Sequence, residues 1–126
     1  SNSIDDFEIT YQDALQLFHE HRYQNAIAQF YQLLQINPRH KLADNCQYWI
    51  GECYYAQGKY YQAIAEFNKV AAFDAADKKD DAQLMLGLAF LKLGEKRYAQ
   101  TELDWLISTF ASSEYLDKAY RYLNQL

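Results

Sequence analysis

Apolar residues along the chain recur at the spacing of one face of an α-helix. The clearest segment has them at positions i, i+4, i+7 and i+8, namely Cys46, Ile50, Cys53 and Tyr54. This spacing places side chains on one side of a helix. Gly58 follows, and glycine is the usual residue at the left-handed position that ends a helix. The pattern therefore predicts a helix that ends near Gly58 and is followed by a second amphipathic helix.

Two sequence markers repeat at a common interval. An Ala-Ile-Ala-x-Phe run begins at Ala26 and again at Ala63, and a looser copy begins at Ala99, so the intervals are 37 and 36 residues. Gly51 and Gly87 are also 36 residues apart, and an alanine stands 37 residues before Gly51. Two independent markers with one period indicate three copies of a helix–turn–helix unit.

Small residues at matched positions predict where the paired helices cross. Glycine inside a helix costs about 1 kcal/mol relative to alanine, so we expect Gly51 to face Ala63, and Gly87 to face Ala99, at close crossings. His21 occupies the turn position that glycine holds in the other two copies. Histidine tolerates the left-handed backbone region better than most residues, so we expect the first turn to have the same shape.

These units resemble the tetratricopeptide repeat (TPR) signature, in which Leu-Gly-x₂-Tyr is followed by Ala-x₃-Phe and then proline. The second unit carries this signature as Ile50, Gly51, Tyr54, Ala63 and Phe67. The signature proline is present as Pro38 in the first unit. The resemblance implies an all-α fold: a right-handed TPR superhelix of three helix–turn–helix repeats plus a C-terminal capping helix.

The chain is predicted to form a single TPR domain over residues 5–126. We expect its parts to be repeats at about residues 7–40, 41–77 and 78–113 and a capping helix at 114–126. Residues 1–4 are expected to be a disordered leader left by an expression vector. The capping helix has apolar residues at i, i+3, i+4 and i+7, namely Leu116, Ala119, Tyr120 and Leu123. We expect this face to cover the last apolar surface of the stack.

Composition and charge exclude several functions. The chain has 126 residues, of which 50% are hydrophobic and 17% aromatic, so one domain with a packed core is expected. The formal net charge of −5 argues against a nucleic-acid partner, which needs clustered positive charge. The sequence has no apolar run of the roughly 18 residues that a membrane span needs.

The sequence has no pattern typical of catalysis, cofactor binding or metal binding. His19 and His21 are two residues apart, whereas zinc-binding histidines on a helix need i, i+4 spacing. His40 precedes Cys46 by 6 residues, which fits no zinc-ligand spacing. Cys46 and Cys53 are about 10 Å apart along a helix, too far for a disulfide, so we expect both to be buried thiols. We predict a protein that is not an enzyme.

The run from Leu42 to Gly58 is more specific than a general TPR pattern. It is similar to the Ala-Asp-Asn-x-x-Tyr-Trp-Leu-Gly-Glu-x-Tyr-Tyr-Ala-x-Gly stretch in the TPR domain of the bacterial Tol–Pal system cell-division coordinator. That resemblance implies a periplasmic domain that binds a Tol-type envelope protein during cell division. Two alternatives are a scaffold subunit of another envelope complex, of the outer-membrane lipoprotein type, and a cytoplasmic TPR adaptor, which free cysteines would suit.

The resemblance also implies a partner site, because the first helices of successive repeats line the concave wall of a TPR stack. Counting from Gly51, we predict nine groove residues: Tyr11, Phe18, Asn45, Tyr48, Glu52, Tyr55, Leu84, Leu88 and Leu91. Such a groove is aromatic at one end and aliphatic at the other, with an acidic edge. It suits an apolar peptide or protein segment with some positive charge. The alternative is that the three leucines are covered by the chain itself or by a second copy, through self-association.

Overall fold

A computed structural model describes residues 5–126, which form seven α-helices and one 3-10 turn and contain no strand. The helices are α1 (Asp6–His19), α2 (Tyr23–Ile36), α3 (Ala43–Ala56), α4 (Tyr60–Lys69), α5 (Lys79–Lys92), α6 (Lys96–Thr109) and α7 (Leu116–Asn124), and the 3-10 turn is Val70–Ala72. Each helix packs against the next one along the chain. The predicted all-α fold with seven helices is confirmed. The expectation for residues 1–4 lies outside the described residues. Within residues 5–126, no helix combines the length and the apolar character needed to cross a bilayer.

A residue in the left-handed conformation ends the first helix of each pair. The φ angle is 63° at His21, 74° at Gly58 and 75° at Gly94. In each turn the following N–H donates to the carbonyl five residues earlier, with an N–O distance of 2.9 Å in all three. His21 therefore takes the role of glycine in the first turn, as the sequence predicted.

Gly51 and Gly87 make room for side chains of the paired helices. A Cβ at Gly51 would lie 2.6 Å from ring atoms of Phe67, and a Cβ at Gly87 would lie 2.6 Å from a methyl carbon of Leu103. The three atoms nearest to such a Cβ on Gly51 all belong to Phe67. The glycine therefore accommodates a large side chain one helical turn beyond Ala63 along α4, and the predicted facing of Gly51 and Ala63 stays a prediction.

The capping helix α7 closes the last apolar cluster. Its Ala119 is fully buried and packs with Leu84, Leu103 and Leu106. Tyr120, which the spacing placed on this inner face, is instead 51% exposed. Tyr122 and Leu123 pack against the cluster, so the predicted cap exists, but its buried face is rotated away from Tyr120.

The linkers after α2, α4 and α6 differ at one matched residue. The carbonyls of His40, Ala76 and Ser113 each accept the N–H three residues further on. The His40 and Ser113 side chains each accept the N–H two residues further on. Each also contacts an aspartate at the start of the preceding first helix, His40 with Asp5 at 3.0 Å and Ser113 with Asp80 at 2.7 Å. Ala76 has no polar side chain, so the second linker lacks both contacts.

Candidate functional site: the inner wall of α1, α3, α5 and α7

The nine groove residues lie on the first helices of the three units, where they were predicted. Three of them are buried in the apolar clusters: Tyr11 is 5% exposed, Tyr48 is 7% exposed and Leu84 is 4% exposed. The other six are half-buried, namely Phe18, Asn45, Glu52, Tyr55, Leu88 and Leu91. The buried three support the wall and offer a partner little surface.

The wall of the first unit is packed by neighbouring aromatic rings. The ring of Phe18 meets Trp49 edge-to-face at a centroid distance of 5.0 Å and Tyr23 at 5.5 Å. Asn45 donates a hydrogen bond from its amide nitrogen to the Tyr11 hydroxyl oxygen, 3.3 Å away. Edge-to-face rings at these distances attract one another, so this part of the wall is largely held by the chain itself.

The acidic residues of the wall are paired within the chain. Tyr48 donates from its hydroxyl to Glu52, with an O–O distance of 2.5 Å, and Tyr115 donates in the same way to Asp81 at 2.5 Å. Burial raises the pKa of Glu52, and the nearby Asp81 charge raises it further, whereas the Tyr48 hydroxyl lowers it. Lys78 lies over the Tyr48 ring, 5.1 Å from its centroid. The predicted acidic edge is therefore present with its carboxylates hydrogen-bonded within the chain, and its use by a positively charged partner stays a prediction.

An apolar pocket of about 360 Å³ lies on the wall between α3, α5 and α7. It brings together three of the predicted groove residues, Tyr55, Leu88 and Leu91, with Tyr122 of α7. Its remaining lining residues are Lys92, Lys96, Gln125 and Leu126. Burial, followed by neighbouring Tyr60, raises the pKa of Tyr55 to about 12, so its hydroxyl is a neutral hydrogen-bonding group at physiological pH. The pocket can hold an apolar side chain, and Lys92 and Lys96 place two ammonium groups at its rim.

Several pocket residues were missed from the sequence. Gln125 lies 37 residues after Leu88, so extending the repeat into the capping helix would have found it. Tyr122 could not be found in this way, because the helical spacing favoured Tyr120 for the inner face. Lys92 ends α5 one residue past Leu91, the last position counted on the inner face, and Lys96 lies in α6, whereas the prediction considered only first helices.

Asp5, Glu8 and His40 form the one group among residues 5–126 whose side-chain atoms could together approach a metal ion, lying within 4.8 Å of one another. The His40 ring accepts the Leu42 N–H at Nδ1, 3.0 Å away, which fixes the ring proton on Nε2. That Nε2 then donates to Asp5, and Glu8 pairs with Lys41 at 2.8 Å. A metal ion on Nε2 would displace this proton and break the hydrogen bond to Asp5. The three residues therefore connect α1 to the first linker.

Cys46 and Cys53 are free thiols in the core, and each is fully buried. Burial raises the pKa of both thiols to about 12. Thiolate is the reactive form of cysteine, so both side chains act as small apolar core residues. The prediction of two buried, unpaired cysteines is confirmed.

The stacked helix pairs, matched turns and shared inner wall define a helical-repeat interaction domain. The sequence matches the tetratricopeptide repeat family over residues 17–79 and matches the repeat again over residues 81–113. The chain therefore belongs to the tetratricopeptide repeat family and is a TPR protein-interaction module. No curated protein sequence matches it.

The fold is similar to that of the type III secretion translocator chaperone SycD from Yersinia enterocolitica. One SycD structure aligns over 98% of this chain and 92% of its own, with a TM-score of 0.82 and 20% identity. An alternative SycD dimer aligns over 98% and 89%, with a TM-score of 0.78 and 20% identity. SycD in complex with a peptide of the translocator YopD aligns over 98% and 90%, with the same TM-score and identity. These likenesses establish the TPR superhelix, and the closer Tol–Pal resemblance remains a prediction.

Proposed function

We propose that this domain holds a peptide or a protein segment on its inner wall, with the pocket formed by Tyr55, Leu88, Leu91 and Tyr122 as the main anchor. The observation that carries the proposal is the pocket itself. Four half-buried apolar or aromatic side chains from three helices surround about 360 Å³ of open space. Aromatic side chains in such a position supply large contact area at low entropic cost.

The TPR superhelix supports this function. SycD, which shares the fold over nearly its whole length, has been solved with a peptide of the translocator YopD. We propose that this chain likewise acts by binding and not by catalysis. Phe18, Asn45 and Glu52 would extend the contact along the wall, while Tyr48 and Leu84 would act mainly by supporting it from the core.

Pocket variants test the proposal. A phage-displayed random peptide library selected on the immobilised domain supplies the probe peptides. The Tyr55→Ala/Leu91→Ala variant should lose about 2 kcal/mol of binding free energy or more, as hot-spot residues do. The matched control is Tyr61→Ala, because Tyr61 is 66% exposed and does not line the pocket. Equal affinity of the pocket variant and the native domain for the selected peptides would refute the proposal.

We also propose a setting for this function: a Tol–Pal-linked assembly in the periplasm of a bacterium. The Leu42–Gly58 run supports this setting by its resemblance to the cell-division coordinator family. Titration calorimetry with purified periplasmic domains of Tol proteins tests it directly. Micromolar binding that the Tyr55→Ala/Leu91→Ala variant loses would support it, and no heat of binding to any of them would rule it out.

A second candidate is a cytoplasmic chaperone or adaptor. The two unpaired core thiols suit a reducing compartment, and the similarity to a chaperone extends over 98% of the chain. Fractionation of cells that express the native gene separates the two settings, because a periplasmic protein is released by osmotic shock and a cytoplasmic one is retained. Sedimentation of the purified domain tests self-association, the remaining alternative for Leu88 and Leu91, which are half-buried.

A further inference from the structure

The hairpin of the third unit differs from the other two at the position where the pocket opens. In the first two units an aromatic pair closes the hairpin: Phe18 with Tyr23, and Tyr55 with Tyr60, at centroid distances of 5.5 and 5.2 Å. The matched residues in the third unit are Leu91 and Lys96. The second aromatic ring is thus replaced by a flexible cation, and both residues line the pocket.

The cations at the pocket rim have no acidic partner within the described part of the chain. Neither Lys92 nor Lys96 has its ammonium nitrogen within 4.0 Å of a carboxylate oxygen in residues 5–126, although Lys41 and Lys69 each pair with a glutamate there. Both lysines are exposed. Lys96 is also the first residue of α6 and Arg97 the second, and Glu95 precedes them at the N-cap without a side-chain cap hydrogen bond. The start of α6 thus carries two basic side chains and one acidic one, and because positive charge is disfavoured at a helix N-terminus, a partner's carboxylate would be favourable there.

The carboxylates elsewhere on the wall are each paired within the chain, and none of them lines the pocket. Glu52 and Asp81 each accept a tyrosine hydroxyl, and Glu8 pairs with Lys41. The pocket therefore has a positive rim in a chain whose formal net charge is −5. Both lysines belong to the third unit, so they favour negative charge in the part of a partner segment that enters there.

We infer that the pocket binds a partner segment in which an apolar side chain is flanked by aspartate or glutamate. The inference rests on the proposed function and specifies its partner. The apolar side chain enters between Tyr55, Leu91 and Tyr122, and the neighbouring carboxylates meet Lys92 and Lys96 at the rim. Both contacts come from one short segment, so the pocket recognises its acidic charge and its apolar side chain together.

Selection of the same phage-displayed random peptide library on three versions of the domain tests the inference. The versions are the native domain, Lys92→Glu/Lys96→Glu, and Arg22→Glu/Arg39→Glu, a control that changes the net charge equally at two exposed sites outside the pocket. The native domain and the control should enrich peptides with an acidic residue next to a large apolar one. The pocket charge reversal should lose that enrichment or favour lysine and arginine.

One enriched peptide, labelled with a fluorophore, gives the quantitative measurement by anisotropy. Replacing its acidic residues by their amides should weaken binding at least tenfold to the native domain and less than threefold to Lys92→Glu/Lys96→Glu. Peptides that need Tyr55 and Leu91 but show no acidic preference would overturn the inference and leave the proposed function standing. Failure to enrich any peptide that depends on Tyr55 and Leu91 would overturn both.

Discussion

Ser113 donates a hydrogen bond from its hydroxyl to Asp80, with an Oγ–Oδ2 distance of 2.7 Å, and so ties the linker after α6 to the start of α5. The matched aspartate in the second unit is Asp44, which lies seven residues before Gly51 as Asp80 lies seven before Gly87. Asp44 is 1% exposed, and neither of its carboxylate oxygens has a hydrogen-bond partner in the described chain. The residue that matches Ser113 in the second unit is Ala76, which has no hydroxyl to donate to Asp44.

Ala76→Ser should stabilise the domain by about 1 kcal/mol, because the new hydroxyl can donate to the buried Asp44 carboxylate. A second contribution comes from the N–H of Lys78, which the serine oxygen can accept as Ser113 accepts that of Tyr115. Urea unfolding followed by circular dichroism measures the change.

The reciprocal variant is Ser113→Ala, which creates in the third unit the arrangement now present in the second. It should lower the free energy of unfolding by about 0.5–1.5 kcal/mol, the usual net contribution of one hydrogen bond, because Asp80 is only half-buried and its other oxygen still accepts the Asp81 N–H. A neutral Ala76→Ser together with a destabilising Ser113→Ala would mean that the second linker cannot adopt the geometry of the third.

The buried Asp44 carboxyl should make stability depend on pH. Burial, its largest cause, raises the pKa of Asp44 above the ordinary 3.8, so the folded state disfavours the charged form at neutral pH. As the pH falls through the raised pKa toward 3.8, the carboxyl becomes protonated in the folded state, and the cost of burying its charge disappears. Relative to Asp44→Asn, the native domain should therefore gain stability as the pH falls from 7 to 4.

Urea midpoints of both proteins across this pH range measure the effect. Repeating the comparison in the Ala76→Ser background provides the control, because a hydrogen bond to the charged carboxylate favours that form. The gain on acidification should then be smaller. A stability difference that stays constant with pH would show that the charge of Asp44 is already compensated.

The repeat period made the helices and turns predictable, but the orientation of the last helix was not. Gly58, Gly94 and His21 mark the turns by a backbone requirement that is visible in sequence. In α7, tyrosines at positions 120 and 122 both follow a plausible helical spacing, and only contact with α5 and α6 decides that Tyr122 faces inward. Tyr122 lines the pocket, so the full set of pocket residues could not be predicted from the sequence.

The self-pairing of the acidic edge was partly predictable. Tyr48 and Glu52 are four residues apart on one helix face, a spacing at which side chains meet, and they do form a hydrogen bond. Asp81 instead pairs with Tyr115, 34 residues away. No local spacing indicates such a contact, because it depends on how the linker after α6 turns toward α5.

Gly51→Ala should destabilise the domain by about 1–3 kcal/mol, the usual cost of overpacking a core. The added Cβ would lie 2.6 Å from the ring of Phe67, which is itself 1% exposed and has little room to move. This cost exceeds the roughly 1 kcal/mol that alanine gains over glycine in a helix.

Gly87→Ala is the matched comparison, since its Cβ would meet Leu103 at the same distance. The added Cβ would also lie 2.8 Å from the Cγ of Leu103, which is as fully buried as Phe67, so a loss of similar size is expected. Thermal unfolding of both variants by differential scanning calorimetry measures both losses. A more stable Gly51→Ala variant would contradict the close packing of Phe67 on α3.

Thr10→Gln should stabilise the first unit by completing a contact that the other two units already have. Gln47 donates from its amide nitrogen to the carbonyl and the side chain of Glu66, at 3.0 and 2.9 Å. Gln83 makes the same pair of bonds to Glu102, at 2.8 and 2.7 Å.

The matched residues in the first unit are Thr10 and Gln29, and the Gln29 side-chain oxygen is buried with no hydrogen-bond partner within residues 5–126. A glutamine at position 10 can reach it, with an expected gain of about 0.5–1.5 kcal/mol in the free energy of unfolding. Hydrogen exchange of the α1 and α2 amides localises the gain, which should be concentrated in these two helices. Gln83→Thr is the control in the opposite direction and should loosen α5 against α6. Equal exchange rates in Thr10→Gln and the native domain would mean that the oxygen of Gln29 is satisfied by water, and that the first unit needs no such bond.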